Sequence, residues 1–436
     1  MKKIVFAILS VTACVAVLAQ SPAAVWGDAE LPRRMLRPYA SIAEAAANAD
    51  GESRYIVPIT EWTREESAGK TSFTCEFVYP AAWLNRQILL RIESASAGFE
   101  VEVGGSKAGS VTNGAVPAEF NLTKFSKPGI NKLTVTVNAP ASNEPLLRGD
   151  VTWLGKAEIV SQPTVRVRDV ESRTTLNDAG DGIFEVAIAV KSEALNTKQA
   201  RISYELADSA KVLVAGYKDV TLSMRGEDTV RLVAIVPRER LWSAENPSLL
   251  TLTVRNRIEG RYVENIAVAV GARQTGYDGT TLKINGEPVT LKAKRVSPNM
   301  SAEDLAGLKA AGYNAVKVEA GDAASGLYDA CDSAGLYVIA QLAVDTSNGG
   351  RSIKRGGNPS NEPSLTEEYL ARTQALFHTS KSHPSTVAFS LGGGIANGIN
   401  TYESYLLLKR LDGSRPVIYD GAGKEWNNDR LGLSVK

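Results

Sequence analysis

The sequence predicts a multidomain β and α/β chain: two antiparallel β-sandwiches followed by a unit of alternating strands and helices. Three observations predict it. Short runs with apolar residues at every second position recur from Tyr55 to about Gly271, separated by Gly, Pro and Asn turns. These runs fall into two groups, each of sandwich size. From about Gly286 strand-like runs alternate with helical segments, the signature of a parallel α/β arrangement.

The elements follow in order. "MKKIVFAILSVTACVAVLAQ" has Lys2 and Lys3 ahead of the apolar run Ile4 to Leu18, and Val17-Leu18-Ala19 fits a small-residue cleavage site. The expectation is a signal peptide over 1–19 and an exported product (periplasmic, cell-envelope or secreted) that begins at Gln20. The run is short for a membrane span of about 20 residues, so no transmembrane segment is expected after cleavage. Residues 20–54 form a leader whose "SIAEAAANAD" is helical. The first sandwich covers 55–160, with "SFTCEFVY", "QILLRIES", "FEVEVGG" and "NKLTVTVN" as strands. The second covers 161–272, with "PTVRVRDV", "IFEVAIAV", "ARISYEL", "DTVRLVAIV", "LLTLTVR" and "VENIAVAV". Six or seven short strands in this length fit an immunoglobulin-like sandwich.

Residues 273–436 carry the βα repeats. Strands are expected at Val289–Val296, Asn314–Glu319, Tyr337–Leu342, Thr386–Gly392 and Pro416–Tyr419, with helices at about 301–311, 323–334, 364–381 and 401–411. Ser301 with Asp304, and Ser364 with Glu367, have capping-box spacing. Gly312 and Gly335 stand where helices end in a left-handed residue. "DTSNGGRSIKRGGNPSNEPS" is an extra loop.

Charge and chemistry narrow the classes. A formal net charge of +1 gives no electrostatic case for nucleic acid or an anionic membrane surface. With two histidines, no CxxC and no HExxH, no metal site is expected, and nothing asks for a cofactor. Cys75 and Cys331 lie in different domains and read as buried free thiols. The remaining oddity is "HPSTVAFSLGGGIANG", a strand that runs into three consecutive glycines.

Several stretches together resemble glycoside hydrolase family 2, the β-galactosidases, β-glucuronidases and β-mannosidases. "GINKLTVTVN" looks like the closing strand of that family's jelly-roll domain, and "RLWSAENPSLLTLTV" like its penultimate immunoglobulin-like strands. "LKINGEPVTLK", "LYDACDSAGLYVIAQ", "HPSTVAFSLGG" and "LDGSRPVIYDG" resemble successive parts of its barrel. The resemblance implies a jelly-roll sandwich, an immunoglobulin-like sandwich and a partial TIM-type βα barrel of about five strands, against eight in a full barrel. It implies a retaining glycosidase ancestry, with one glutamate as acid/base and another as nucleophile.

Against that pattern this sequence departs at the chemistry. The family's Asn-Glu pair falls on Gly393-Gly394, so the acid/base position is Gly394. "AKRVS" lacks the family's Asn-Arg-His. Its later Arg and His fall on Lys317 and Ala320, and a strand-end Glu falls on Gln341. The family's nucleophile lies on a later strand than this sequence reaches. Expected catalytic residues are therefore none.

Glu319, Asp345 and Asp420 are the carboxylates near strand ends that could substitute, and Asn397, Asn400 and Gln341 are candidate sugar contacts. Trp62, Trp83 and Trp153 read as packing residues or sugar platforms, Trp242 and Pro247 as packing and turn, and His383 as a structural turn. Three functions stay open: a non-catalytic carbohydrate-binding or assembly protein of the envelope, an active β-glycosidase with substitute carboxylates or a partner chain, and a structural interaction module. Expected partners are a saccharide and a homo-oligomer or envelope protein that covers the open barrel edges. Failing a partner, the 424–436 tail is expected to fold across the last strand.

Overall fold

The computed structural model describes residues 27–47, 53–112, 114–139, 152–209, 211–318, 325–344, 350, 352, 354–392 and 396–435. The expected signal peptide therefore lies outside the described residues. So do Glu319, Ala320, Asp345, Gly393 and Gly394.

In the first sandwich a four-stranded sheet (Ile56–Ile59, Ala157–Gln162, Gln87–Ile92, Ala118–Asn121) faces a five-stranded one (Thr63–Ser67, Lys70–Tyr79, Gly129–Asn138, Phe99–Val103, Ser106–Val111). Alternation makes the core: Leu133, Val135 and Val137 point inward from one strand, with Phe73 and Phe99 beside them in the same sheet and Phe120 and Leu90 opposite. Trp83 is buried in this core and donates its indole N–H to the Arg54 carbonyl at 3.1 Å, which settles it as a packing residue. Trp62 packs edge-on against Phe73, and Trp153 is half-buried.

The second body sets three strands (Val165–Leu176, Gly182–Ser192, Glu227–Val236) on four (Lys211–Leu222, Lys198–Asp208, Leu250–Ile258, Arg261–Val270). The strand Lys211–Leu222 is additional to the six stretches picked out above. It is an edge strand that buries only Val220 and Leu222, so its alternation is faint.

The α/β body begins with a small sheet whose Leu282–Ile284 and Glu287–Val289 strands are joined by Asn285 and Gly286, at φ 52° and 86°. Asn-Gly is the pair that such a tight hairpin turn demands. The expected strand Val289–Val296 is therefore two elements: the end of this hairpin and the barrel strand Leu291–Val296. The barrel sheet is parallel and has six strands, in the order Val417–Ile418, Thr386–Ser390, Tyr337–Gln341, Ala315–Val318, Leu291–Val296, Leu433–Val435. Helices Ala302–Ala310, Ser325–Ala334, Thr366–Ser380 and Ile399–Leu411 supply Leu305, Leu327, Tyr369, Leu376 and Leu408 to its outer face.

Ser301 and Asp304 form the expected capping box, and Gly312 and Gly335 have φ of 80° and 69°. The second box does not form. Ser364 sits in a short 3-10 turn, where the Glu362 carboxylate accepts from its N–H, and the helix starts at Thr366.

Of the expected ways to cover the barrel edges, the folded tail is the one the structure displays. Beside Val417–Ile418, the Asp429 N–H donates to the Val417 carbonyl (2.8 Å), and the Asp429 and Asn428 side chains accept from the Val417 and Tyr419 N–H groups (2.8 and 2.7 Å). The same tail then pairs its Leu433–Val435 strand with Leu291–Val296, the first barrel strand rather than the last. Unpaired strand edges are costly and invite association, and one segment here serves both edges.

The leader is not a separate piece. Glu30 bridges to Glu119 in the first sandwich, Leu36 lies in the core of the second, and Tyr39 pairs with Asn265. Arg34 reaches the Ala269 and Ser382 carbonyls and Asp329. Residues 27–39 thus strap all three bodies together.

Candidate functional site

The inner face of the barrel sheet is apolar at its base. Leu291, Ala293, Ala315, Tyr337, Ile339, Ala388 and Ile418 pack there against Trp242, Leu282 and Ile284. Trp242 meets Tyr337 edge-on at 5.8 Å and donates its indole N–H to the Asp332 carbonyl, so it plugs the base as a packing residue. Two residues further along each strand the same face reaches its C-terminal rim. The positions there are Arg295, Lys317, Gln341, Ser390 and Asp420.

Lys317 is the buried charge of this rim: its residue is 1% exposed, and its ammonium lies 3.9 Å from Asp420 Oδ2. Burial lowers its pKa, Asp420 opposes the shift and Arg295 adds to it. Asp420 itself has a side chain that is 63% exposed. It is the carboxylate among the described residues at these rim positions. Retaining hydrolysis needs two carboxyl groups about 5–5.5 Å apart. Gln341 is half-buried and sits beside Ser390 in register. The Ser390 hydroxyl turns back onto Gly392, whose φ of 122° excludes an ordinary side chain. This glycine, at least, is required by the turn that leaves the strand.

The structure corrects the two asparagines. Asn400 is fully buried and spends its amide on the Pro359 and Glu362 carbonyls (3.0 and 2.9 Å), while Thr366 donates to its oxygen at 2.7 Å. Asn397 exchanges amide hydrogen bonds with Asn427 at 2.9 and 3.0 Å and accepts from Thr401. Both pin loops rather than face a ligand. Nearby, a hollow of about 330 Å³ is lined by Gly356, Gly357, Asn358, Pro359, Glu362 and Leu365, within the extra loop.

A second polar group sits at the opposite end of the strands. Ligand atoms of Asp329, Asp332 and His383 lie within 4.8 Å of one another. Several of their atoms already hold protein partners, although His383 Nε2 is buried without one. Asp332 holds His383 Nδ1 at 2.7 Å and the Ser385 N–H at 2.9 Å, and Asp329 holds Arg34 at 2.8 Å. His383 is buried against Tyr328 and locks the start of its strand, a structural role. Cys75 and Cys331 are free, the first half-buried and the second buried, and burial pushes the Cys75 thiol up to about 11.

Two sandwiches, a βα barrel sheet and a strand-end rim define a glycosidase-type architecture. The family models agree. Glycosyl hydrolases family 2 matches residues 165–273, and the TIM barrel domain of glycosyl hydrolases family 2 matches residues 287–433. The chain belongs to glycoside hydrolase family 2.

The β-galactosidase of Psychromonas ingrahamii is 26% identical over 374 residues, covering 81% of this chain and 36% of the relative. That of Priestia megaterium is 25% identical over 378 residues, covering 79% of this chain and 36% of the relative. The chain thus spans about a third of the length of the curated relatives it matches. Among solved structures, Bacteroides uniformis β-glucuronidase superposes with a TM-score of 0.71 at 16% identity, covering 93% of this chain and 55% of that one. A family 2 member from Bacteroides cellulosilyticus superposes with a TM-score of 0.68 at 18% identity, covering 84% and 52%. At these identities the structures attest the fold.

Proposed function

We propose that this family 2 chain does not hydrolyse glycosides by the family's retaining route and acts as an exported carbohydrate-binding or assembly protein of the cell envelope. The observation that carries the reading is Gly393-Gly394 in place of the family's Asn-Glu pair. A glycosidic oxygen leaves poorly as an alkoxide, and a raised-pKa carboxylic acid normally protonates it. Glycine offers no proton. General acid catalysis is worth about 10²–10⁴-fold by itself.

The described part of the rim supports the same reading, since Asp420 is exposed and faces Lys317. Purified protein is expected to release no nitrophenol from aryl β-galactosides, β-glucuronides or β-mannosides above the blank. The Gly393→Asn, Gly394→Glu double variant is expected to stay inactive, because Asp420, the described rim carboxylate, is exposed and faces Lys317 and is not placed as a nucleophile. Turnover that disappears in Glu319→Gln, Asp345→Asn or Asp420→Asn would overturn the reading and establish a substitute site.

Export rests on Lys2, Lys3 and the apolar run that ends at Ala19. Among the described residues no helix is long and apolar enough to cross a membrane. N-terminal sequencing of the exported protein should begin near Gln20, and a cytosolic product that keeps Met1 contradicts it. Assembly through the barrel edge would add a strand beside Leu433–Val435, the edge of the sheet, or displace residues 428–429 from Val417–Ile418. Sedimentation at rising concentration tests that, and a monomer throughout removes a homo-oligomer.

A further inference from the structure

Trp426 is left in solvent on a segment that is otherwise pinned. It is 56% exposed. Its neighbour Asn427 is fully buried and exchanges amide bonds with Asn397. Asn428 accepts from the Tyr419 N–H, and Asp429 accepts from the Val417 N–H, the Tyr405 hydroxyl (2.7 Å) and the Lys409 ammonium (3.0 Å). The ring is oriented as well. Tyr402 stacks on it at 5.1 Å with the planes 20° apart, and Tyr405 meets it at 5.7 Å and 81°.

A lone exposed apolar residue on a protein surface is ordinary. An indole whose backbone neighbours and ring plane are both fixed is different, because the ordering cost of using it as a contact is already met in the free protein.

Its position is also informative. Trp426 lies in the loop that follows the Val417–Ile418 strand, and Tyr402 lies in the first turn of the helix that follows Thr386–Ser390. Both belong to the C-terminal rim, and Asn397 joins them by donating to the Tyr402 hydroxyl (3.3 Å) as well as to Asn427. Tyr402 stacks on the indole, Tyr405 meets it edge-on, and 56% of Trp426 stays in solvent. An exposed indole is flat, apolar and electron-rich, a match for the C–H face of a pyranose. Lys424 and Glu425, the two residues before Trp426 in sequence, are exposed, and Glu425 bonds the Tyr402 hydroxyl.

We propose that Trp426, backed by Tyr402, is a stacking platform for a neutral pyranose at the rim of the barrel. The proposal rests on the carbohydrate-binding reading above and gives it a location that the sequence did not single out. The apolar strip extends onto Ile399 and Leu406, each about two-fifths exposed, so a protein is the competing occupant. A few side chains fall short of the roughly 800 Å² per partner that a stable interface buries, and the saccharide is favoured.

Isothermal titration of the purified chain with β-1,4-galactobiose and cellobiose tests it, with methyl β-D-glucuronide as the charged counterpart. A neutral disaccharide is expected to bind at millimolar concentration. Trp426→Ala should weaken it roughly tenfold, the scale of one aromatic stacking contact, while Trp426→Phe retains most of the affinity. Near-ultraviolet dichroism and melting temperature should show both variants folded. Affinity unchanged in Trp426→Ala overturns the platform and leaves the carbohydrate reading standing, whereas no binding of any saccharide by the wild type overturns both. Self-association of the wild type that Trp426→Ala abolishes would assign the ring to a protein interface instead.

Discussion

The junctions between the three bodies and the rim of the barrel use charge in opposite ways. At the junction of leader and sandwiches, Arg166 is almost wholly buried and binds Glu119, Glu30 and Gln162, while Arg168 and Lys191 share Glu30. At the junction with the barrel, Lys381 binds Asp169 and Glu171 at 2.9 and 2.6 Å, and Arg273 donates to the Thr386 carbonyl. Among the described rim residues, one buried amine, Lys317, faces one exposed carboxylate, Asp420. The difference teaches that, among the described residues, networks of buried ion pairs hold the bodies to one another while the rim carries a single such pair.

The largest expected effect breaks the first half of that contrast. Arg166→Ala removes the buried cation bonded to Glu119, leaving that carboxylate with the more distant Arg168 and Arg91 while Glu30 keeps Arg168 and Lys191, which should cost about 3 kcal/mol. Chemical denaturation measures it, and a loss below about 1 kcal/mol would show the network to be ornamental.

Second in size is the pH dependence of two buried junction carboxyls. Burial raises Glu264 from 4.5 to about 7, with only the Val167 backbone N–H, Arg86, Arg166 and Asn256 opposing. The folded chain keeps that proton while the unfolded chain releases it. Glu264's contribution is therefore full below 4.5 and is lost as pH rises to about 7. The shift corresponds to about 3 kcal/mol, and Glu264→Gln should flatten that limb of a stability–pH curve. Glu119 has the opposite sign. Burial would raise it, but Arg166, Arg168 and Arg91 outweigh burial and hold it at about 2. Its contribution is full above 4.5 and is lost as pH falls toward 2. A flat curve from pH 4 to 8 in the wild type would remove the Glu264 assignment.

A smaller effect tests the reassigned asparagine. Asn400→Ala should cost about 1–3 kcal/mol by stranding the buried Pro359 and Glu362 carbonyls. Saccharide affinity should not change, and a selective loss of affinity in a fully stable variant would return Asn400 to the ligand. The smallest effect sharpens the second half of the contrast. Lys317→Met exchanges a buried ammonium with one distant partner for an apolar chain of similar length. Stability should stay within about 1 kcal/mol of wild type or rise. A loss above about 2 kcal/mol would place the rim charges in the same structural class as the junctions.

Much of this fold is legible in sequence, and the reasons are local. Leu133, Val135 and Val137 alternate because one face of their strand is buried, and that alternation survives in the letters. Ser301 with Asp304 announces a helix start because both partners lie within one turn. Lys211–Leu222 was faint because an edge strand buries little, and the Ser364–Glu367 spacing misled because Glu362, one residue before Pro363, captured the Ser364 N–H instead. At the site, the substitution by Gly393-Gly394 was visible only through the resemblance. The isolation of Asp420 and the rigid exposure of Trp426 were not visible, because both depend on what arrives from other strands.

What the sequence by itself determined is the succession of two sandwiches and a βα unit, the position of most strands and helices, and the run of three glycines, Gly392 to Gly394, at the end of a barrel strand. Those are properties of residue type and short-range periodicity. Only the tertiary structure decided that residues 27–39 strap three bodies, that the tail serves the edge at Val417 and then pairs with Leu291–Val296, and that Asn397 and Asn400 hold loops. The physical reason is that a hydrogen-bonding group takes whichever partner the packed chain brings within about 3 Å. Glu30 meets Arg166, and Leu291 meets Leu433, across more than a hundred intervening residues that no local pattern records.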